Sequence, residues 1–143
     1  MYILDTNVIS ELRRAGQGMA DDNVVSWASS VETTSLYVSV VSILEIETGI
    51  LQIARRDKDQ ATVLRRWFEG HVLKAFENRI LPINEAVARQ CAQLHVPDPK
   101  SERDALIAAT ALVHGMTIVT RNTRDFDPSG VRLLDPWQPG KTE

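Results

Sequence analysis

The sequence predicts a single α/β domain built on a short parallel sheet. Runs of apolar and β-branched residues alternate with helical patterns along the whole chain, as they do in α/β proteins. The runs are short and almost continuously apolar, which is typical of strands covered by helices on both faces. The length of 143 residues, with 43% hydrophobic and 24% charged residues, fits one compact domain. We therefore expect one domain over residues 1–135 and a C-terminal tail over residues 136–143.

Four to five strands are predicted from the apolar runs. They are Tyr2 to Leu4, Leu36 to Val41, Ile80 to Ile83, Thr117 to Thr120 and, as the fifth, Val131 to Leu134. The tail contains two prolines and a glycine around Trp137, and this composition predicts a loose end from which Trp137 packs back or meets a partner.

Six helices are predicted between the strands. They cover about Val8 to Arg13, Asn23 to Val31, Ser42 to Arg55, Gln60 to Phe76, Asn84 to His95 and Ser101 to Gly115. In residues 60–76 the apolar side chains recur at helical spacing, so this segment is predicted to pack on the core or on a partner. The charged stretch 55–59 is predicted to be an exposed connection between helices. The prolines at positions 97 and 99 are predicted to end the helical pattern before the last helix begins.

Charge and cysteine content limit the classes of protein that the chain can belong to. The formal net charge is −3, so any binding to nucleic acid is local rather than driven by overall positive charge. Paired arginines could form such a patch, although charged helix faces are the simpler interpretation. Cys91 is the only cysteine, which excludes an internal disulfide and favours a cytoplasmic setting. Asp5 places an acid where a signal peptide would continue its apolar stretch, so a signal peptide is not expected. No segment is long enough to cross a membrane.

Asp5 is the best-placed candidate for a functional residue. It directly follows the first predicted strand, and ligands of parallel sheets gather at the carboxyl ends of the strands. Thr6 and Asn7 offer a hydroxyl and an amide that could orient Asp5 or a metal-bound water. The alternative is a helix cap, because all three residue types cap helices well and a helix is predicted from Val8.

Glu45 and Asp104 each lie three residues after a serine at a predicted helix start. Ser42 with Glu45 and Ser101 with Asp104 both match a capping box, in which the carboxylate only accepts the backbone N–H of the serine. The functional interpretation is compatible with capping. A carboxylate in the first turn feels the positive end of the helix dipole and stays ionised.

Asp125 lies in the loop that follows the fourth predicted strand, together with Thr120 and Asn122. The alternative interpretation is a polar turn whose side chains bond their own backbone. Three of the four acids follow the ends of different strands at short range, so the fold is expected to bring them to one edge of the sheet.

Carboxylates that meet at one edge need a positive charge among them, because like charges raise one another's pKa. Mg²⁺ prefers oxygen ligands and keeps part of its water, and Mn²⁺ tolerates the same site. Zinc fits the sequence less well than magnesium, because Cys91 is solitary and His71, His95 and His114 do not form a pattern such as HExxH.

Four segments in order along the chain carry a family resemblance. They are YILDTNVISEL (2–12), SILEIETGI (42–50), DALIAATA (104–111) and TRNTRDF (120–126). Together they resemble the PIN-domain toxins of bacterial toxin–antitoxin pairs, the VapC family, and particularly its FitB-like branch associated with plasmid stability. The resemblance covers nearly the whole chain. It implies a three-layer α/β/α sandwich, a magnesium-dependent endoribonuclease, a homodimer and a VapB-like or FitA-like antitoxin, with DNA contacted only through that antitoxin.

The resemblance also implies roles for individual residues. The acidic quartet is Asp5, Glu45, Asp104 and Asp125, and the supporting residues are Thr6, Asn7, Thr120 and Asn122. Asp127 stays open as an alternative for the fourth acid. Glu47 is not expected to take part, because two residues of helix turn it away from Glu45.

The expected reaction is hydrolysis of an RNA phosphodiester by metal-activated water, with one or two ions. Asp5 and Asp104 are the expected principal metal ligands, Glu45 and Asp125 complete the site, and Arg121 or Arg124 contacts phosphate. Two alternatives are a catalytically silent binding module that acts through its antitoxin complex and a metal-dependent phosphatase with an aspartyl nucleophile. The phosphatase is disfavoured because Asp5-Thr6-Asn7 lacks the second acid of a D-x-D motif.

Overall fold

The structure is a computed structural model that describes residues 1–138 and 140. Its strands are β1 (Tyr2–Leu4), β2 (Leu36–Ser39), β3 (Ile80–Leu81), β4 (Thr117–Val119) and β5 (Leu133–Leu134). Its helices are α1 (Thr6–Ala15), α2 (Asp22–Ser30), α3 (Val40–Ala54), α4 (Lys58–Trp67), α5 (Leu73–Ala75), α6 (Glu85–Leu94), α7 (Glu102–His114) and α8 (Thr123–Phe126). Short 3₁₀ turns cover Thr33–Ser35 and Asp127–Ser129, and a π-helical turn covers Phe68–Val72.

The five strands form one parallel sheet in the order β3-β2-β1-β4-β5. The first strand is the central one, with Ile3 opposite Tyr37 of β2 on one side and Ile118 of β4 on the other. The carboxyl ends of β1, β2 and β4 are therefore neighbours. Whatever follows these three strands in sequence meets at one edge of the sheet.

Helices cover both faces of the sheet. One core cluster joins strand residues such as Leu4 and Val38 to apolar residues of α1 and α3 and to Phe68. The other joins Ile3 and Ile118 to α7 and to Phe126 of α8. Neighbouring strand residues thus point into different layers, as the pleat requires. The predicted α/β/α sandwich on a short parallel sheet is confirmed.

The second strand is shorter than predicted, and the helix after it begins earlier. The sequence analysis extended the strand to Val41 and began the helix at Ser42, but α3 begins at Val40. The reason is Ser39, whose side chain accepts the backbone N–H of Val41 and caps the helix. Ser42 lies inside α3 and is fully buried.

The segment predicted as one helix over residues 60–76 is divided in the structure. Helix α4 runs into the π-helical turn and then into the short α5. Phe68 and Val72 point from this turn into the core, with 2% and 5% of their surface exposed. The apolar spacing therefore identified most of the buried face, although Val63 of the same pattern is 52% exposed. It did not reveal the change of helical pitch.

The beginning of the predicted tail packs on the domain instead of lying loose. Trp137 lies against the core cluster on the α1 and α3 side, and its carbonyl accepts a hydrogen bond from the Asn23 side chain over 3.0 Å. The guanidinium of Arg121 lies over its ring, 5.1 Å from the centroid. Residues 139 and 141–143 of the predicted tail lie outside the described part of the chain.

The helices of the described residues include none with the length and apolar character needed to cross a membrane.

Replacing Asn84 with Ala is expected to lower the free energy of unfolding by about 1 kcal/mol. The Asn84 side chain accepts the backbone N–H of Val87 over 3.0 Å and caps α6. Chemical denaturation of the two proteins measures the difference. Asn84→Ser keeps an oxygen that can cap the helix and should recover most of the loss; an equal loss in both variants would contradict the capping role.

Candidate active site

Asp5 stands at the carboxyl end of the central strand. Its backbone N–H donates to Val119 of β4 over 2.9 Å, which continues the strand pairing by one residue. Its side chain accepts the backbone N–H of Thr6 over 2.8 Å and caps α1. Helix α1 therefore begins at Thr6, two residues before the predicted start. The capping interpretation of Asp5 and its placement at the sheet edge are both correct, since one carboxylate does both.

Two polar side chains hold the other oxygen of Asp5. The hydroxyl of Thr120, fully buried after β4, donates to Asp5 Oδ2 over 2.8 Å. The Asn7 amide lies 3.3 Å from the same oxygen and 3.3 Å from the Thr120 hydroxyl. Asn7 Oδ1 also accepts the backbone N–H of Arg121. Thr120 and Asn7 thus fix the Asp5 carboxylate between two loops of the sheet edge.

Thr6 connects the first loop to Glu45 of α3. Its hydroxyl lies 2.8 Å from Glu45 Oε1 and 2.9 Å from the Ser42 hydroxyl. A threonine hydroxyl has one proton, so when Thr6 donates to Glu45 it accepts from Ser42. The capping-box interpretation of Ser42 and Glu45 is wrong, because α3 begins before Ser42. Ser42 instead supports the Thr6–Glu45 contact.

Glu47 lies elsewhere on α3, where it forms an ion pair with Arg65 of α4.

Asp104 lies in the first turn of α7, as predicted, with Ser101 at the N-cap position. Its neighbour Arg103 forms an ion pair with Glu45 over 3.7 Å. This pair joins the first turn of α7 to α3. Asp104 also lines a cleft that contains Asp125 and Lys100.

Asp125 lies on the short helix α8, where the sequence analysis weighed only a polar turn. Its backbone N–H donates to the carbonyl of Asn122, and the Asn122 N–H donates to the Thr120 hydroxyl over 3.0 Å. The next residue, Phe126, is 1% exposed and anchors α8 in the core. The side chain of Asp125 is exposed, as is that of Asp127 in the following 3₁₀ turn.

The pKa values show that the acidic side chains act on one another. Burial raises the pKa of Asp5, and the charges of Glu45 and Asp125 raise it further, whereas hydrogen bonds from Thr120 and Thr6 lower it. Burial also raises the pKa of Asp104, with further contributions from Asp5, Asp125 and Glu45. Asp5 and Asp104 therefore each lie within electrostatic reach of the other three predicted acids, and we call the four the acidic group.

The donor atoms of the acidic group suit a hard cation. All four side chains offer carboxylate oxygens, and the accumulated negative charge favours a divalent ion. In the part of the chain that the structure describes, no three members bring ligand oxygens within 4.8 Å of one another. This spacing fits an ion that takes one or two carboxylates directly and reaches the others through water.

Asp104→Asn is expected to stabilise the metal-free protein at neutral pH, raising its unfolding temperature by about 2 °C. A raised pKa means that the ionised carboxylate costs folding free energy above that pKa. The gain should vanish as the pH falls toward 3.8, the ordinary pKa of the group, because the wild-type carboxyl is then protonated. Thermal unfolding in chelator measures it at each pH. A lower unfolding temperature of the variant at neutral pH would contradict the electrostatic argument.

Three residues at this edge were missed as site residues in the sequence analysis. Ser42 was interpreted only as a helix cap, and Arg103 and Lys100 were not considered. Ser42 could have been found by its position one helical turn before Glu45, on the same face of α3. No comparable signal singles out Arg103 or Lys100, because their role depends on how α7 meets α3 and α8.

Comparisons with known proteins agree with this fold. Residues 2–128 match the PIN domain family. The chain is 33% identical to the VapC ribonuclease Y4jK of Sinorhizobium fredii, covering 97% of this chain and 99% of that protein. It is 34% identical to the toxin FitB of Neisseria gonorrhoeae, covering 96% and 99%. The crystal structure of FitAcB from Neisseria gonorrhoeae superposes with a TM-score of 0.86 at 33% identity, covering 96% and 99%. The chain therefore belongs to the PIN domain family.

Proposed function

We propose that this protein is the toxin of a type II toxin–antitoxin pair and acts as a magnesium-dependent endoribonuclease. The acidic group at the carboxyl ends of β1, β2 and β4 is the observation that carries the proposal. Buried Asp5 and half-buried Asp104 keep raised pKa values, a costly arrangement that a bound cation would offset. Sites whose acids are tuned in this way are candidates for catalysis rather than for structure alone.

The names of the relatives support the reaction and the biological setting. Two relatives that match over almost their full length are called a VapC ribonuclease and the toxin FitB. Solved structures with the same fold include FitAB bound to a DNA fragment, at 34% identity and a TM-score of 0.86. By this likeness we assign the chain a FitA-like or VapB-like antitoxin as partner, with DNA reached through the antitoxin.

Within the proposed reaction, Asp5 and Asp104 are the principal ligands of the cation. Thr120 and Asn7 hold Asp5 in place, and Thr6 holds Glu45. Glu45 and Asp125 contribute negative charge at the edge of the cation site, where their carboxylates can accept hydrogen bonds from water molecules around the cation. Bound at this site, Mg²⁺ supplies Lewis acidity and lowers the pKa of the water that attacks the phosphodiester; Mn²⁺ would serve in the same way.

Two basic side chains in the loop after β4 support a contact with the RNA backbone. Arg124 is exposed on α8 beside Asp125, and Arg121 lies over the Trp137 ring at the start of the same loop. These two are the proposed phosphate contacts. Arginine suits this role because its planar fork can donate two hydrogen bonds to one phosphate. Asn122 shapes the loop between them through its backbone.

A homodimer is part of the proposal. Val40, Leu44 and Leu51 form a stripe along one face of α3 that Glu47 interrupts, and they are 38%, 52% and 56% exposed. A second copy of the chain would cover this stripe. Leu51→Glu is therefore expected to yield monomers in light scattering; an unchanged dimer mass would move the interface elsewhere.

The function is tested by incubating the purified, antitoxin-free protein with total RNA. Cleavage is expected with Mg²⁺ or Mn²⁺ and should disappear when a chelator is added. Cleavage that persists in chelator would overturn the metal-dependent mechanism. Absence of cleavage under all ionic conditions, with antitoxin binding retained, would favour a silent binding module.

A further inference from the structure

A second cluster of metal-ligating side chains lies between α6 and α7, apart from the acidic group. Cys91 lies on α6, His95 is the residue that caps the end of α6, and Glu102 is the first residue of α7. Cys91 Sγ lies 3.6 Å from His95 Nε2 and 3.9 Å from Glu102 Oε1. His95 Nε2 lies 3.6 Å from the same Glu102 oxygen. In the described residues, this is the only group of three such side chains whose ligand atoms lie within 4.8 Å of one another.

The three distances match the face of a tetrahedral zinc site. Zinc binds sulfur at about 2.3 Å and nitrogen or oxygen at about 2.0–2.2 Å. With tetrahedral angles these lengths separate the sulfur from either lighter ligand by about 3.6 Å, and the nitrogen from the oxygen by about 3.4 Å. The observed separations exceed these values by at most a few tenths of an ångström. A cation can therefore bind all three atoms after small side-chain movements.

The chemistry of the cluster differs from that of the acidic group. A thiolate and an imidazole favour zinc over magnesium, whereas an all-oxygen group favours the harder ion. His95 follows Cys91 by four positions and keeps helical backbone angles at the cap of α6, so the two side chains lie on the same side, as the two histidines of a helical zinc motif do. Cys91 is 3% exposed, whereas the side chain of Glu102 is 73% exposed. The site thus opens to solvent on the Glu102 side, where water can occupy the fourth position.

We propose that Cys91, His95 and Glu102 form a zinc site that fastens α6 to the beginning of α7. The sequence analysis ranked zinc below magnesium because Cys91 is the only cysteine and the histidines lack a zinc-binding spacing. It did not consider Cys91 together with His95. The spacing of Cys91 and His95 was visible in the sequence, but Glu102 joins them only because α6 and α7 pack side by side.

Binding changes the hydrogen bonds of His95. In the free protein the backbone N–H of Lys100 donates to His95 Nδ1 over 3.0 Å, so the neutral ring carries its proton on Nε2. When zinc binds Nε2, that proton moves to Nδ1, the thiol proton goes to solvent, and the Lys100 N–H must turn away. The segment that precedes α7 therefore adjusts on binding.

Cobalt provides a specific probe, because a cobalt–thiolate bond gives an intense charge-transfer absorption in the near ultraviolet. Cys91 is the only cysteine in the chain, so this band can arise only from the proposed site. Titration of the full chain with Co²⁺ should saturate the band at one ion per chain, and Zn²⁺ should remove it. Cys91→Ser should abolish it. His95→Gln and Glu102→Gln should each weaken binding by more than about 10-fold.

Two controls separate this site from other metal binding. His114→Gln alters an exposed histidine at the other end of α7 and should leave the titration unchanged. Asp5→Asn combined with Asp104→Asn should remove RNA cleavage but keep the cobalt band, so the two proposals fail or succeed separately. The zinc site would be overturned by the absence of the band in the wild-type protein. A band that is unaffected by both His95→Gln and Glu102→Gln would overturn it equally.

Discussion

Asp104→Asn is expected to lower the rate of RNA cleavage in Mg²⁺ by more than about 100-fold, since losing even an outer hydrogen-bond partner of a metal ligand costs 10- to 100-fold. Asn removes the negative charge but keeps the size of the side chain and its place in the first turn of α7. The charges of Asp5, Asp125 and Glu45 raise the pKa of Asp104. The Asp104 carboxylate is therefore part of the negative charge that attracts the cation. Initial rates on a labelled RNA measure the loss, with thermal unfolding as the check that the variant folds.

The matched controls for this prediction replace acidic residues that lie outside the acidic group. Asp127→Asn changes an exposed carboxylate two residues from Asp125 and should leave the rate within a few-fold of wild type, whereas Asp125→Asn should lower it. The reverse order would make Asp127 the fourth acid. Glu47→Gln breaks the pair with Arg65 without touching the acidic group, so its effect on cleavage should be small compared with that of Glu45→Gln. Wild-type cleavage by Asp104→Asn would refute the proposed site.

Thr120→Val is expected to reduce cleavage by about 10- to 100-fold, the usual effect of removing a hydrogen bond to a metal ligand. The two side chains have nearly the same shape, but valine lacks the hydroxyl that donates to Asp5 and accepts from the Asn122 backbone. The loss has a second signature. Because the Thr120 hydrogen bond lowers the pKa of Asp5, its removal should raise that pKa further. The acidic limb of the pH–rate profile should therefore move to higher pH.

Thr120→Ser is the control for that experiment. It keeps the hydroxyl and loses only a methyl group, so both the rate and the pH profile should stay close to those of the wild type. Thr120 is fully buried, so loss of its methyl group in Thr120→Ser should lower the free energy of unfolding. Thr120→Val keeps this methyl group and should not show that loss. If Ser and Val lowered the rate equally without a change of pH profile, packing rather than hydrogen bonding would be the role of Thr120.

Much of the fold could be predicted because its signals are local. Strands β1 and β4, which precede Asp5 and Thr120, are short apolar runs in the sequence. The connection before α4 is a run of charged residues. The end of β2 was missed because Val40 and Val41 continue the apolar run and favour a strand in isolation. Ser39 ends the strand and starts α3, because its side chain accepts a hydrogen bond from the backbone N–H of Val41. Residue propensities do not reveal such a bond.

The site could be predicted less completely, for a related physical reason. The positions of Asp5 and Asp104 follow from elements that the sequence indicates on its own. The contacts of Glu45 with Thr6 and Arg103 span 39 and 58 positions, and they depend on the packing of α3 against α1 and α7. No periodicity records such contacts. The short helix at Asp125 was missed because four residues are too few to show a helical pattern.

The central place of β1 in the sheet has a consequence for biosynthesis. Asp5 is the first of the four acids to be synthesised. The strand before it, β1, cannot pair on one side until β2 has been made, and it cannot pair on the other side until β4 has been made. Asp104 and Asp125 are added 99 and 120 residues after Asp5. A nascent or truncated chain that stops before β4 therefore cannot assemble the acidic group. The acidic group is complete only after β4 and α8 have both been synthesised.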